Sequence, residues 1–379
     1  MHSFVTAAVV LTSACNIIAA PAGASNSLLS RSPQEESEPC ESEAPTPYPP
    51  PKGTGACENP RVRKEWRALT DVEKKDYIDA VLCLQHQPAI TKEQFANNSD
   101  LNPINRYDDF HAVHNLQTPN IHFVGHFASW HRYMMHEYER TLRDVCGYKG
   151  SQPYWNWSLD AQPNNNLSVA IYDTDVFSPT VGFGGNGKYV ELPEEVEGPF
   201  RAWGRSGGGC VQDGPFTVPN FHVNIGEKNG SSCLRRDFLP AVLHEDADPK
   251  QVQLVLDQPN YTKFARQLEG GPSFAIPAIH AGGHFGVGGM LGQAGDAANS
   301  PGEPLFYMHH TMIDYVFWKW QQKDLENRLT DIGGPVHYLD FGGENVTLDF
   351  QIDLGAIAPP ITLREALNTE GELFCYTYE

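Results

Sequence analysis

The chain has 379 residues, 40% of them hydrophobic, with 34 glycines, 29 prolines and a formal net charge of −20. That length supplies a sizeable core, as one large domain or roughly two or three smaller ones. The charge argues against nucleic acid or an anionic membrane as partner and fits a freely diffusing, loop-rich globular protein.

"MHSFVTAAVVLTSACNIIAAPAGAS" opens the chain. An apolar run ending at Ala22-Gly23-Ala24 reads as a secretory leader over residues 1–24, although its start lacks Lys and Arg. The run is short for a membrane anchor, and no other apolar stretch is long enough to span a bilayer. The expected location is therefore extracellular, where disulfides persist. Of the 8 cysteines, Cys15 would leave with the leader, so an odd number remains. Sequons at Asn97, Asn156, Asn166, Asn229, Asn260 and Asn345 fit a glycoprotein. Residues 25–56 include "SPQEESEPCESEAPTPYPPPKG", which has almost no large apolar residue and is expected to be disordered. Cys40 lies inside it and is the candidate unpaired thiol.

Order is expected from residue 57 to 379. Asn59-Pro60 reads as a helix N-cap and first turn. "TDVE", residues 70–73, is a capping box that opens a helix with Tyr77, Ala80, Val81 and Leu84 on one face. "HRYMMHEYERTLRDV" (131–145) and "YMHHTMIDYVFWKWQQKDLENRL" (307–329) predict two more helices. Residues 160–275 show no sustained period, and short strands are expected near 216–225 and 346–352. The fold class is mainly α: a four-helix-bundle core, long irregular loops and a few short strands.

The 15 histidines are clustered. His111, His114, His122, His126, His131 and His136 form one block; His280, His284, His309 and His310 form another. Burying many imidazoles costs desolvation unless each finds a partner, and a metal partners several at once. His280 and His284 are four residues apart, hence on one helical face, with Gly282-Gly283 between them allowing a close approach to the backbone. Two sets of three histidines on facing helices suit a metal pair in a bundle core. An all-imidazole set without H-E-x-x-H admits copper, zinc, iron or nickel, and a pair of such sites suits copper best. A single zinc on three histidines is a rival.

With these motifs the sequence resembles the type-3 copper proteins, the tyrosinase, catechol oxidase and hemocyanin superfamily, and most of all short secreted fungal polyphenol oxidases. "FASWHR" (127–132) stands where the family has F-x-x-W-H-R. "EPLFYMHHTMID" (303–314) matches D-P-x-F-x-x-H-H-x-x-x-D, "PYWNWSLD" (153–160) matches P-Y-W-D-W, and Tyr376–Tyr378 matches Y-x-Y. The resemblance implies two copper ions, one on His114, His122 and His131 and the other on His280, His284 and His309. These six are also the expected catalytic residues. His310 is then left to packing around the site, Phe306 to packing over a ligand, and Asp314 to orienting an imidazole N–H. His111, His126 and His136 are expected to be structural, and Arg132 and Trp130 to support the fold. The implied substrates are a small phenol and O2, and the implied reaction is oxidation of o-diphenols to o-quinones.

Three departures qualify the resemblance. Asn120 replaces the cysteine that many relatives crosslink to the second histidine, so no thioether is expected. Glu303 stands for the usual aspartate. Ala281 follows the first histidine of the second set, where tyrosinases often have an Asn that, with a nearby Glu, positions a water to deprotonate monophenols. Sequence distance does not place Glu269 in that role. Weak or absent monophenol hydroxylation is the expectation, with a full tyrosinase or a hemocyanin-like O2 binder as alternatives; Phe285 could narrow the mouth in the latter. Only one residue follows Tyr378, so no C-terminal shielding domain is expected. Pairings Cys57–Cys375, Cys83–Cys146 and Cys210–Cys233 suit the chain positions, among the fifteen that six cysteines allow.

Overall fold

The computed structural model describes residues 57–161, 170–193, 204–227, 230–272 and 276–379. The expected leader, the Pro/Glu/Ser-rich segment and Cys40 lie outside the described residues. Ten helices occur among the described residues: α1 (Asp71–Leu84), α2 (Arg106–Ile121), α3 (Phe127–Cys146), α4 (Trp157–Asp160), α5 (Pro240–Ala247), α6 (Pro249–Leu256), α7 (Tyr261–Glu269), α8 (Ile279–Gly288), α9 (Leu305–Gln322) and α10 (Leu325–Arg328). Strand β1 (Arg61–Arg63) pairs in parallel with β6 (Tyr376–Tyr378). Two antiparallel pairs complete the strands, β2 (Gly187–Tyr189) with β3 (Gly208–Val211) and β4 (Gln351–Ile352) with β5 (Ile361–Thr362).

Local chemistry starts these helices. Thr70 and Glu73 exchange both bonds of the capping box on α1, whose buried face includes Tyr77, Ala80, Val81 and Leu84. Asn105 and Asp108 do the same for α2. α3 stops at Gly147, which takes the left-handed conformation (φ 72°) that terminates a helix cheaply only in glycine. α2, α3, α8 and α9 form the helical core, with α3 lying along α9 and α5 covering α8. No helix among the described residues is long and apolar enough to cross a membrane.

Several expectations need correction. Asn59-Pro60 does not open a helix; the chain continues as β1, held by the parallel pairing with β6. Residues 216–225 carry a single bridge, Val223 to Ser232, rather than a strand. Pro219 has no N–H to offer a ladder, and Thr217 turns the chain by accepting from Asn220 and Phe221. The 160–275 stretch is not wholly irregular, since α5, α6 and α7 lie in it. Their signals were short: Pro240 and Pro249 in first turns, Asp248 accepting from Gln251 N–H, and Asn260 accepting from Lys263 N–H. The three disulfides are Cys57–Cys375, Cys83–Cys146 and Cys210–Cys233.

Asp314 does not orient an imidazole. Its carboxylate accepts from Arg132 Nε at 2.5 Å, from Arg63 Nη1 at 3.1 Å, and from the hydroxyls of Tyr376 and Tyr378. Arg63 also meets Glu139 at 2.7 Å. All these side chains are buried. Burial would raise the Asp314 carboxyl, but Arg132 and Arg63 outweigh it and hold the group below its ordinary value. The charge therefore persists inside and ties α3, α9, β1 and β6 together. Asp314→Asn should lower stability by about 3 kcal/mol or more, because it leaves two buried guanidinium groups underpaired. Thermal unfolding checks this; an unchanged Tm would show that the hub carries no net stability.

Candidate dicopper site

The imidazoles are positioned by backbone carbonyls. His114, on α2, has Nδ1 3.4 Å from the Ala298 carbonyl. His122 leaves the end of α2 in an extended conformation, and its Nδ1 lies 3.0 Å from the Thr118 carbonyl. That carbonyl is among the last of the helix and has no helical partner of its own. His131 Nδ1 meets the Phe127 carbonyl at 2.9 Å, one turn back on α3. His284, on α8, meets the Ala294 carbonyl at 3.0 Å. A carbonyl only accepts, so each of these rings carries its proton on Nδ1 and presents a bare Nε2 lone pair.

Those lone pairs converge. His114, His122 and His131 offer ligand atoms within 4.8 Å of one another, as do His280, His284, His309 and His310. His280 and His284 approach at 3.1 Å between their Nε2 atoms, and His310 Nε2 lies 3.2 Å from His284 Nε2. The two groups adjoin: His131 stacks on His310 with ring centres 4.3 Å apart, and His122 stacks on His280 at 5.8 Å. Nε2 of His114, Nε2 of His131 and Nε2 of His309 are buried without any hydrogen-bond partner. Such orphaned nitrogens are costly unless a cation takes them, so the donor set fits a bound metal pair.

Burial, with the neighbouring imidazoles, holds His114, His131, His280, His309 and His310 well below the ordinary histidine value. Burial pushes His122 down to about 4 and, with His122 adding to it, His284 down to about 3. All these rings are neutral at physiological pH, the state in which imidazole ligates.

His309 and His310 differ in an unexpected way. The indole N–H of Trp157 donates to His309 Nδ1 at 3.0 Å. An indole nitrogen only donates, so this contact draws on the Nδ1 lone pair of His309, while its Nε2 is buried without a hydrogen-bond partner. The expectation placed only His309 of this pair among the ligands, and both belong to the second histidine group. The reason for the close fit is Gly283: a Cβ there would lie 2.2 Å from the His309 ring. Gly282 likewise admits α5, since its Cβ would meet the Asp246 side chain at 2.8 Å.

Phe306 packs among His114, His284 and His310, closest to His310 at 4.3 Å. Glu303 forms a buried two-bond pair with Arg236 at 2.7 and 2.8 Å and accepts the Leu305 N–H at the start of α9. His111 and His126 bond to Asn299 and the Asn120 carbonyl, and His136 packs edge-on against Phe374; none of the three reaches the cluster.

A cavity of about 870 Å³ opens onto His122, His280 and His284. Ala281, Phe285 and Glu269 are also in its wall. Glu269 was not placed by sequence reasoning, yet its buried carboxylate accepts the Phe123 N–H at 2.8 Å, directly after His122. Burial pushes that carboxyl well above its ordinary value. Trp157 and Glu269 lie far from the histidines they serve in sequence, and only the quoted "PYWNWSLD" segment pointed toward the first of them.

The bundle brings together two adjoining histidine groups whose ligand atoms could each hold a metal ion. The family model described as the common central domain of tyrosinase matches residues 104–323. A tyrosinase-like protein of Diaporthe leptostromiformis is 33% identical over 343 residues, covering 85% of this chain and 78% of its own. N-acetyl-6-hydroxytryptophan oxidase of Emericella nidulans is 33% identical over 355 residues, covering 85% and 93%. Among solved structures, a mutant polyphenol oxidase from Thermothelomyces thermophila superposes with a TM-score of 0.72 at 31% identity, covering 84% and 88%. The chain belongs to the tyrosinase family, a dicopper family of oxidoreductases that use phenols and O2.

The histidines outside the cluster give a pH prediction. Burial lowers His111 and His126 to about 4 and His136 to about 3, from an ordinary value of 6.5. The unfolded chain thus binds protons that the folded chain refuses, so stability falls as pH drops from 6.5 toward those values. A Tm fall of about 10 °C between pH 7 and pH 5 is expected for the metal-free protein. A Tm that holds constant over that range would contradict it.

Proposed function

We propose that the protein is a secreted catechol oxidase with weak or absent monophenol hydroxylation, and that residues 57–379 form its catalytic unit. Two histidine groups, three rings from α2, its end and α3 and four from α8 and α9, bring their ligand atoms together and carry this reading. In it, His114, His122 and His131 hold one copper, and His280, His284 and His310 hold the other. His309 is a positioning residue, fixed by Trp157. A copper pair, when bound, supplies the electron relay between catechol and O2. Overall, two catechols each give up two electrons and two protons, and one O2 takes all four of each to become two waters.

The chain's own part is binding and proton placement. The carbonyls of Ala298, Thr118, Phe127 and Ala294 keep protons on Nδ1 and leave Nε2 free. Buried Phe306 keeps water from one side of the site. The large cavity admits an aromatic ring to His122, His280 and His284. Phe285 is 37% exposed in the wall and leaves that cavity open, which supports turnover over simple O2 carriage. The disulfides support an oxidising compartment. One relative is named for oxidising a hydroxytryptophan, so hydroxyindoles belong beside catechols in a substrate panel.

Metal analysis and oxygen uptake test the reading. The loaded protein should hold about two coppers and consume O2 with 4-tert-butylcatechol. About one zinc and no O2 uptake would point to a hydrolase instead. His310→Gln should retain about one copper, whereas His309→Gln should retain nearly two; the reverse pattern would return His309 to the ligand set.

Position 281 governs the second half of the proposal. Glu269 supplies a carboxyl in the cavity wall, but Ala281 has no side-chain donor or acceptor to organise a water beside it. A monophenol proton therefore lacks a prepared acceptor. Ala281→Asn should raise phenol hydroxylation relative to catechol oxidation by roughly threefold or more. An unmoved ratio would show that this position does not limit the first step.

A further inference from the structure

The cavity wall is charged with one sign. Asp246, which packs against Gly282 of α8, and its exposed neighbour Glu245 line it from α5; Glu269 also lines it, but burial pushes that carboxyl toward its neutral form. No Lys or Arg is among the described residues that line it. Neither Glu245 nor Asp246 is paired with a cation among the described residues; every ion pair there is made by other acids. α5 is held against α8 through glycine: a Cβ on Gly282 would meet Asp246 and Ala247, and one on Gly286 would meet Leu243 at 2.8 Å. Asp246 is thus seated on the helix that carries His280 and His284, with Glu245 next to it.

The remaining wall is apolar, including Ile276, Phe285 and Tyr338, which are otherwise exposed large hydrophobics. At about 870 Å³ the cavity is far larger than a bare catechol needs. A substrate with its ring at the histidines would keep its side chain inside the cavity, against these walls. A charge on that side chain would face carboxylates through partly excluded water, where Coulomb interactions are stronger than in bulk.

Resting on the proposed phenol oxidation, we propose that the cavity selects phenols bearing a positively charged amine over phenols bearing a carboxylate. Charge, rather than ring chemistry, then ranks catechols of equal size. The net charge of −20 adds a long-range pull of the same sign.

The test compares three catechols on the copper-loaded full chain: dopamine, neutral 4-ethylcatechol and 3-(3,4-dihydroxyphenyl)propionate. The expected order of kcat/KM is dopamine, then 4-ethylcatechol, then the propionate, with the extremes apart by about tenfold at low salt. Raising ionic strength to about 0.5 M should compress that ratio. The double variant Glu245→Gln, Asp246→Asn should bring the ratio, each value normalised to 4-ethylcatechol in the same variant, to within about twofold. Equal efficiencies for all three in the wild-type chain would overturn the charge selection and leave the oxidase reading standing. So would a preference for the propionate. A preference that persists in the double variant and in high salt would assign it to other residues and overturn this account. If no catechol is oxidised, the oxidase reading itself falls, and this inference with it. The salt series uses only the wild-type chain, so the inference remains falsifiable if the variant does not fold.

Discussion

The ion pair between Arg132 and Asp314 sets the geometry on which the site depends. Arg132 follows His131 directly on α3, and Asp314 lies one turn after His310 on α9. Pinning these two side chains therefore pins two imidazoles from different helices, and the rings stack at 4.3 Å with only 13° between their planes. The pair is stable in a dry interior only because it is oversatisfied. Arg132 also donates to the Ala366 and Leu367 carbonyls and to Gln321, while Asp314 also takes Arg63 and two tyrosine hydroxyls. Through Tyr376 and Tyr378 the last strand becomes part of the clamp between α3 and α9. That gives the Y-x-Y segment a physical purpose that its distance from the cavity would not suggest.

A second constraint acts at the other pair of helices. α8 is unusually rich in glycine for a helix, which costs about 1 kcal/mol per residue against alanine. The cost is accepted because backbone must touch other groups there. Gly283 lies against the His309 ring, Gly282 against α5, and Gly286 against Leu243. These contacts bring His280 and His284 to the depth of the α9 histidines. They also make the width of the cavity a property of main-chain packing rather than of movable side chains.

Much of this could be read from the chain. Paired histidine blocks, the i, i+4 spacing on α8 and the W-H-R and H-H segments located the site, because metal chemistry demands those residues at those separations. Capping boxes located α1 correctly, because the chemistry of a helix start is local. What could not be read was decided by tertiary partners. Nothing within residues 305–314 says which of two adjacent imidazoles has its lone pair taken; that depends on Trp157, some 150 positions away. Asp314 looked like an imidazole partner because carboxylates often are, yet two arginines and two tyrosines claimed it first. Glu269 escaped notice because its link to the site is a single bond to the Phe123 N–H, made across the fold. Helices α5 to α7 were hidden because eight- or nine-residue helices leave little period to detect, and their caps were the only local signal.

The Phe123 contact shows how the two histidine groups and the cavity wall are coupled. Phe123 adopts a positive φ of 52°, uncommon for a residue with a bulky side chain. In that conformation its N–H points to Glu269 on α7 rather than continuing α2. The same turn releases His122 from the helix, so that its ring can bond back to Thr118 and face His280. Strain at one residue thus sets both the orientation of a metal-facing imidazole and the place of a buried acid. Because α7 leads into the segment before α8, a change at Glu269 would be felt at His122 and His280 together. Glu269 and the imidazole cluster are therefore joined by a hydrogen bond from the Phe123 main-chain N–H to the Glu269 carboxylate, which among substitutions at 123 only proline deletes outright.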